Sequence, residues 1–91
     1  MAERALRKEV VDRERLAAKA PGGGRDRPVV VTTVSVIESI ARSTPCPQCG
    51  GELEVKDHAA PGGDLRLVKA VCRLCHAPRE IWFEVQMPLT N

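Results

Sequence analysis

The chain has 91 residues, and its 14 Lys and Arg against 12 Asp and Glu give a formal net charge of +2. This length allows one small domain, whose hydrophobic core is marginal without a further source of stability. No apolar run approaches the roughly 18 residues of a membrane-spanning helix, so the composition predicts a globular chain without a membrane partner.

The charge is unevenly distributed along the chain. Residues 1–28 contain eight Lys and Arg and five Asp and Glu, which gives +3, and residues 29–91 contain six and seven, which gives −1. We therefore predict two parts, an N-terminal charged arm with a Gly-rich linker over 1–28 and a domain over 29–91. The second part lacks the strongly basic surface typical of proteins that bind nucleic acid through phosphates.

Residues 2–20 are rich in Ala, Glu, Arg, Lys and Leu, which are good helix formers. Leu6, Val10 and Ala17 would share one face of such a helix, but this apolar stripe is thin. The pattern predicts a helical or disordered arm with few contacts to the rest of the chain. Residues 21–24, Pro-Gly-Gly-Gly, are expected to end the helix and form a flexible joint.

The segment that follows predicts one strand and one short helix. Pro28 to Thr33 is β-branched and apolar, as in a strand. Ser35 and Glu38 have the spacing of a capping box, which predicts a helix that begins at Ser35 and runs to about Arg42. The competing interpretation extends the strand through Ile37 instead.

All four cysteines occur in two Cys-x-x-Cys pairs, Cys46 with Cys49 and Cys72 with Cys75. Between and after the pairs, alternating patterns predict strands at 52–56, 65–71 and 80–85, with a loop over 59–64 and a tail from Met87 to Asn91. Two residues between cysteines allow a tight turn that directs both sulfurs at one point, and two such pairs indicate a four-thiolate zinc site.

Cysteines at this spacing could also form disulfides, a redox pair or an iron site. Two disulfides would suit a secreted protein, but no charged-then-apolar leader is visible, so we expect a reducing, cytoplasmic location. A thioredoxin-like redox pair requires a βαβ unit that the pattern does not show. A single iron in place of zinc stays open, because four thiolates suit both metals.

Residues 45–85 resemble a zinc ribbon, a family of small domains, through Cys46-Pro47-Gln48-Cys49-Gly50, the hairpin and Cys72-Arg73-Leu74-Cys75. The resemblance implies a three-stranded antiparallel sheet in which one Zn²⁺ per chain lies between two turns called knuckles. It also implies that the four cysteines are the metal ligands. One departure is His76, which stands where ribbon knuckles commonly have Gly; His adopts positive φ more readily than most residues.

Trp82 is the candidate residue for partner binding. If 80–85 is a strand, Trp82 shares one face with Glu80 and Glu84, while Ile81, Phe83 and Val85 share the other. Either the segment Val36 to Ile40 covers the indole, with Val68 and Ala70 as neighbours, or the indole is displayed to a partner, as Trp often is in binding hot spots.

The sequence contains no nucleophile–base motif, and a zinc bound by four thiolates has no open position, so we expect no enzyme. The favoured function is a structural-zinc ribbon protein that acts as a protein-binding adaptor or assembly subunit, with an unknown protein or a second copy as partner. The alternative is a nucleic-acid-associated ribbon, in transcription or translation, that uses the basic N-terminal arm. An iron or redox protein is a third hypothesis.

Overall fold

The computed structural model describes residues 2–86, with side chains from residue 8 onward. It contains two α-helices, α1 and α2, a 3-10 turn and four strands, β1 to β4. In chain order these are α1 Ala2–Lys19, β1 Val29–Val31, the 3-10 turn Val34–Val36, α2 Ile37–Ser43, β2 Leu53–Gly62, β3 Leu65–Cys72 and β4 Pro78–Val85. The predicted tail at 87–91 lies outside the described residues.

The sheet has four strands in the order β1-β4-β3-β2, and β2, β3 and β4 form the predicted antiparallel ribbon. The predicted count of three was wrong, because β1 joins the sheet in parallel beside β4, with Val30 opposite Glu84. This pairing lets Val31 enter the core next to Val85. The long connection through α2 and the hairpin supplies the crossover that a parallel pair needs.

Strand β2 is longer than predicted, because its ladder with β3 continues to the pair Gly62 and Leu65. Only residues 63 and 64 remain as the turn, whereas the Pro and Gly at 61–63 predicted a longer loop. The pairing register shifts between Val55 and Asp57 and again between Ala59 and Gly62. Pro61 is tolerated because β2 is an edge strand, where a missing N–H need not break a ladder.

Helix α2 covers one face of the sheet and forms the core with it. Ile37 and Ala41 of α2 are fully buried together with Phe83 and Val68 of the sheet. In β4 the residues Ile81, Phe83 and Val85 are buried on this face, as the alternating pattern predicted. The core therefore lies on one face of the sheet, whereas the opposite, outer face carries the exposed Val30 and the half-buried Leu67 and Trp82.

The helix predicted after β1 is present, but Ser35 does not begin it. The Thr33 side chain accepts a hydrogen bond from the Ser35 N–H at 3.3 Å and caps the 3-10 turn, from which α2 continues at Ile37. The capping-box interpretation was therefore wrong: the N-cap of α2 is Val36, which makes no side-chain cap, and the Ser35 hydroxyl lies 3.1 Å from that of Thr33 instead. At the other end, the Thr44 N–H donates to the Ile40 carbonyl at 3.0 Å.

The N-terminal arm is helical rather than disordered, but its linker is not a free joint. Gly22 is buried, its N–H donates to the Arg27 carbonyl at 2.6 Å, and its carbonyl accepts from the Trp82 N–H at 2.8 Å. A Cβ at Gly22 would lie 2.8 Å from Cγ2 of Ile81, and φ is +86°, so the position requires glycine. These contacts cross the predicted boundary at residue 28.

Helix α1 contacts the domain along one side only. Val10, Val11 and Leu16 are exposed, and the side chain of Leu6 lies outside the described part. None of the described helices combines the length and the apolar character needed to cross a bilayer.

Candidate metal centre

The four cysteine sulfurs converge on one point, as the sequence predicted. All four Sγ atoms lie within 4.8 Å of one another. The Cys46 and Cys75 sulfurs are 3.7 Å apart, and those of Cys49 and Cys72 are 3.4 Å apart. A tetrahedron with metal–sulfur bonds of about 2.3 Å has sulfur–sulfur edges of about 3.8 Å, so the donor set fits one tetrahedral ion such as zinc.

These distances also bear on the possibility of disulfides. A disulfide needs sulfurs about 2.05 Å apart, and all four cysteines here are free thiols. Each of the two short sulfur–sulfur distances joins one Cys-x-x-Cys pair to the other. Four donors that meet across two turns are typical of a metal site rather than of a redox pair within one turn.

The first knuckle, residues 46–51, is a turn closed by its own backbone. The Cys46 N–H donates to the Gly51 carbonyl at 2.9 Å, and the Gly50 N–H donates back to the Cys46 carbonyl at 2.7 Å. Gly50 has φ +76°, the left-handed conformation in which glycine carries no steric penalty. The turn leaves both Cys-x-x-Cys sulfurs on the side of the second knuckle.

The second knuckle, residues 72–77, repeats this turn. The Cys72 N–H donates to the Ala77 carbonyl at 3.0 Å, and the His76 N–H donates to the Cys72 carbonyl at 3.0 Å. His76 occupies the position of Gly50 and has φ +62°, the only non-glycine positive φ among the described residues. The prediction that histidine sustains this turn is therefore confirmed.

Because a left-handed backbone costs a residue with a Cβ about 1–2 kcal/mol, we expect His76→Gly to raise the free energy of unfolding slightly or leave it unchanged. His76→Val should lower it by about that amount, since a β-branched side chain is the least tolerant of positive φ. Urea unfolding of the metal-loaded variants measures both effects. Equal stability of the two variants would contradict the strain assigned to His76.

Backbone N–H groups stabilise negative charge on the two buried sulfurs. The Cys75 and Leu74 N–H groups point at the Cys72 sulfur at 3.5 and 3.4 Å, and they lower the pKa of Cys72 to about 6 despite its loss of hydration. At Cys46, burial raises the pKa, but the N–H groups of Gln48 and Cys49 outweigh burial and lower it. Both buried cysteines are thus prepared to bind a cation as thiolates.

Cys75 differs from the buried pair. The Ala77 N–H favours its thiolate, but loss of hydration and the neighbouring sulfurs of Cys49 and Cys72 prevail and raise the pKa of Cys75 to about 11. Four negative sulfurs so close together repel one another, so the cluster by itself retains protons. A divalent cation removes this repulsion and displaces the protons, and its binding therefore weakens as the pH falls.

Of the three arginines near the knuckles in sequence, Arg42 and Arg73 are exposed and Arg79 is not. The Arg79 side chain is 11% exposed, and its Nη1 donates to both carboxylate oxygens of Glu14 at 2.7 and 2.6 Å. Burial lowers the pKa of Arg79, but the Glu14 carboxylate and the Cys46 sulfur outweigh burial and raise it. The role of Glu14 was not predicted, because nothing in the sequence relates a residue in the arm to one 65 positions away.

Trp82 is half-buried on the outer face, so the first of its two alternatives, cover by the segment Val36 to Ile40, was wrong. The α2 residue Ile37 packs with Val68 and Ala70 on the opposite face, because Trp82 and Phe83 alternate along β4. The cross-strand neighbour of Trp82 is instead Leu67. The indole is therefore only partly covered, by its own sheet.

No protein-family model, curated protein or solved structure matches this chain. What the geometry itself defines is a compact β-sheet domain with four clustered cysteines arranged to bind a metal.

Proposed function

We propose that the chain is a small structural-zinc protein of the ribbon type, in which Cys46, Cys49, Cys72 and Cys75 bind one Zn²⁺. The convergence of four sulfurs within 4.8 Å is the observation that carries this proposal. A small one-sided core gains from a metal staple, and four thiolates complete the tetrahedron without a position for substrate. The role of the metal is therefore structural rather than catalytic. Thiolate ligation also requires reduced cysteines, which suits a cytoplasmic location.

We further propose that the outer face of the sheet binds a protein partner or a second copy of the chain. Trp82 lies there beside Leu67, and Val30 on the same face is 54% exposed. Tryptophan supplies a large apolar surface with little side-chain freedom, and it is enriched among the residues that dominate binding energy. The chain would thus act as an adaptor or assembly subunit whose sheet is held in shape by zinc.

The alternative of a nucleic-acid-associated ribbon depends on the basic residues of the arm. Two of these are already engaged with backbone carbonyls, Arg13 with Gln48 at 2.8 Å and Arg27 with Lys19 at 2.8 Å. Others alternate with acids along α1. Few phosphates would be neutralised at once, so we expect nucleic-acid binding of roughly 10⁻⁴ M or weaker near physiological salt.

Two measurements test these proposals. Elemental analysis of the purified chain should give one zinc per chain, and the protein should be colourless. A red protein that contains iron would show instead that iron, the competing metal, occupies the site. A salt titration with single- and double-stranded nucleic acid should show only weak binding. Tight binding with a steep salt dependence that Arg15→Gln and Arg7→Gln reduce would favour the nucleic-acid function over the adaptor.

A further inference from the structure

Arg79 connects helix α1 to the start of β4, just beyond the second knuckle. Its guanidinium donates to Glu14 of α1 at 2.6 and 2.7 Å. Its Nε is buried and has no hydrogen-bond partner among the described side chains and backbone groups. One guanidinium and one carboxylate already balance in charge, so this ion pair by itself can hold α1 at the start of β4.

Gln48 makes a second connection between the same helix and the cluster. It lies inside the first knuckle, between Cys46 and Cys49, and its Nε2 donates to the Val10 carbonyl at 3.1 Å and to Glu14 at 2.9 Å. Its backbone carbonyl accepts from Arg13 at 2.8 Å. Glu14 therefore receives hydrogen bonds both from the knuckle and from Arg79, and it is the point at which α1 is attached.

We propose that helix α1 belongs to the metal centre, because Glu14 joins Gln48 of the first knuckle to Arg79, just beyond the second knuckle, and so holds the two turns that carry the cysteines relative to each other. Groups that orient metal ligands in this way affect how firmly the ion is held. The inference rests on the proposed zinc site and assigns Glu14, Gln48 and Arg79 as its positioning residues.

Thermodynamic coupling makes this arrangement reciprocal. If docking of α1 strengthens metal binding, bound metal strengthens docking of α1 by the same factor. A change on the helix that touches no metal ligand should therefore weaken retention of zinc. Loss of residues that orient metal ligands typically costs ten- to a hundredfold in affinity, and Glu14 acts one step further away, so we expect an effect of about tenfold.

The first experiment measures transfer of zinc from the full-length chain to excess chelator, with Glu14→Gln compared with Glu9→Gln. Both changes remove one negative charge from α1, but Glu9 is exposed and projects about 140° around the helix from Glu14. We expect Glu14→Gln to release zinc about tenfold faster and Glu9→Gln to behave as the unmodified chain. Equal release by both variants and the unmodified chain would overturn the proposal and leave the zinc site intact.

The second experiment separates positioning of the ligands from simple stability. In the cobalt-loaded chain, Arg79→Gln should alter the ligand-field bands, which report how the four thiolates are arranged around the ion. Arg73→Gln, which removes an exposed arginine next to Cys72, should leave these bands in place. Faster metal release by Arg79→Gln with unaltered bands would show a loss of stability alone and would refute the positioning role.

These outcomes are distinct from failure of the proposed function itself. A chain that binds neither zinc nor cobalt with its four cysteines refutes the metal site and the role of Arg79 together. A chain that binds one zinc, but whose release and cobalt spectrum ignore Glu14 and Arg79, refutes only the role of the helix. If Arg79→Gln does not fold, the comparison of Glu14→Gln with Glu9→Gln decides, because both of those side chains are at the surface of α1.

Discussion

Removal of the metal is expected to unfold the sheet rather than merely loosen the knuckles. Thiolate coordination of zinc stabilises small domains by on the order of 10 kcal/mol, which is as large as the total stability of many domains. Here two of the four proposed ligands, Cys46 and Cys72, are themselves members of the buried core. Without metal, the four sulfurs would remain within 4.8 Å of one another with no cation between them, and two of them are buried. Chelation should therefore collapse the amide dispersion in NMR spectra.

The control is re-addition of zinc, which should restore the dispersed spectrum. Cys72→Ser should have the same effect as chelation without any chelator, because it removes one of the four donors and buries a hydroxyl in the core. The direction in which metal retention depends on pH follows from the protonation of the cysteine thiols. Zinc displaces protons from them, so retention of metal and of the fold should fall together as the pH is lowered. A well-dispersed spectrum after complete metal removal would show that the core suffices alone.

Trp82→Ala should abolish partner binding while leaving the domain folded. Truncation of a central tryptophan commonly costs a complex 2 kcal/mol or more, about thirtyfold in affinity. Because Trp82 is half-buried on the outer face, its loss opens no cavity in the core. Sedimentation measures self-association. Binding to another protein is measured by a pull-down, once the partner has been identified from the host.

Phe83, the residue next to Trp82, provides a matched control that separates loss of folding from loss of binding. Phe83 is fully buried on the opposite face, so Phe83→Ala should cost about 3–5 kcal/mol of stability. Arg15→Gln, a change at an exposed residue of α1, should leave partner binding almost unaffected. Unchanged association of the Trp82→Ala variant, in both assays, would show that the outer face is not the docking surface.

The cysteine site was predictable because its information is local. Each knuckle is a six-residue turn whose hydrogen bonds depend on the spacing of two cysteines and on a residue that accepts positive φ, Gly50 or His76. The three ribbon strands were also predictable in kind, since alternation of the kind seen in β4 reflects burial of one face. The end of β2 was mistaken, because Pro61 and Gly62 favour turns and an edge strand tolerates them, and β4 begins at Pro78 rather than at residue 80.

The contacts between distant segments were not predictable from one sequence. Three valines form a strand by propensity, but nothing local selects β4 as the neighbour of β1 or a parallel direction for the pair. The attachment of α1 was equally unpredictable. Glu14, Gln48 and Arg79 are common surface residue types, and their interaction depends on the completed fold. The thin apolar stripe of α1 is consistent with the exposure of Val10, Val11 and Leu16, but such a stripe does not report polar contacts.

The parallel pairing of β1 with β4 also bears on the order in which the chain folds. The hairpin of β2 and β3, and then β4, joins segments that are neighbours along the chain, so their loops close at small entropic cost. Strand β1 must wait for its partner, the last strand to be made, and it contributes only three residues. The same applies to Gly22, which is hydrogen-bonded to Trp82. We therefore expect β1 and the segment around Gly22 to become ordered after the hairpin of β2 and β3, because both depend on β4 being in place.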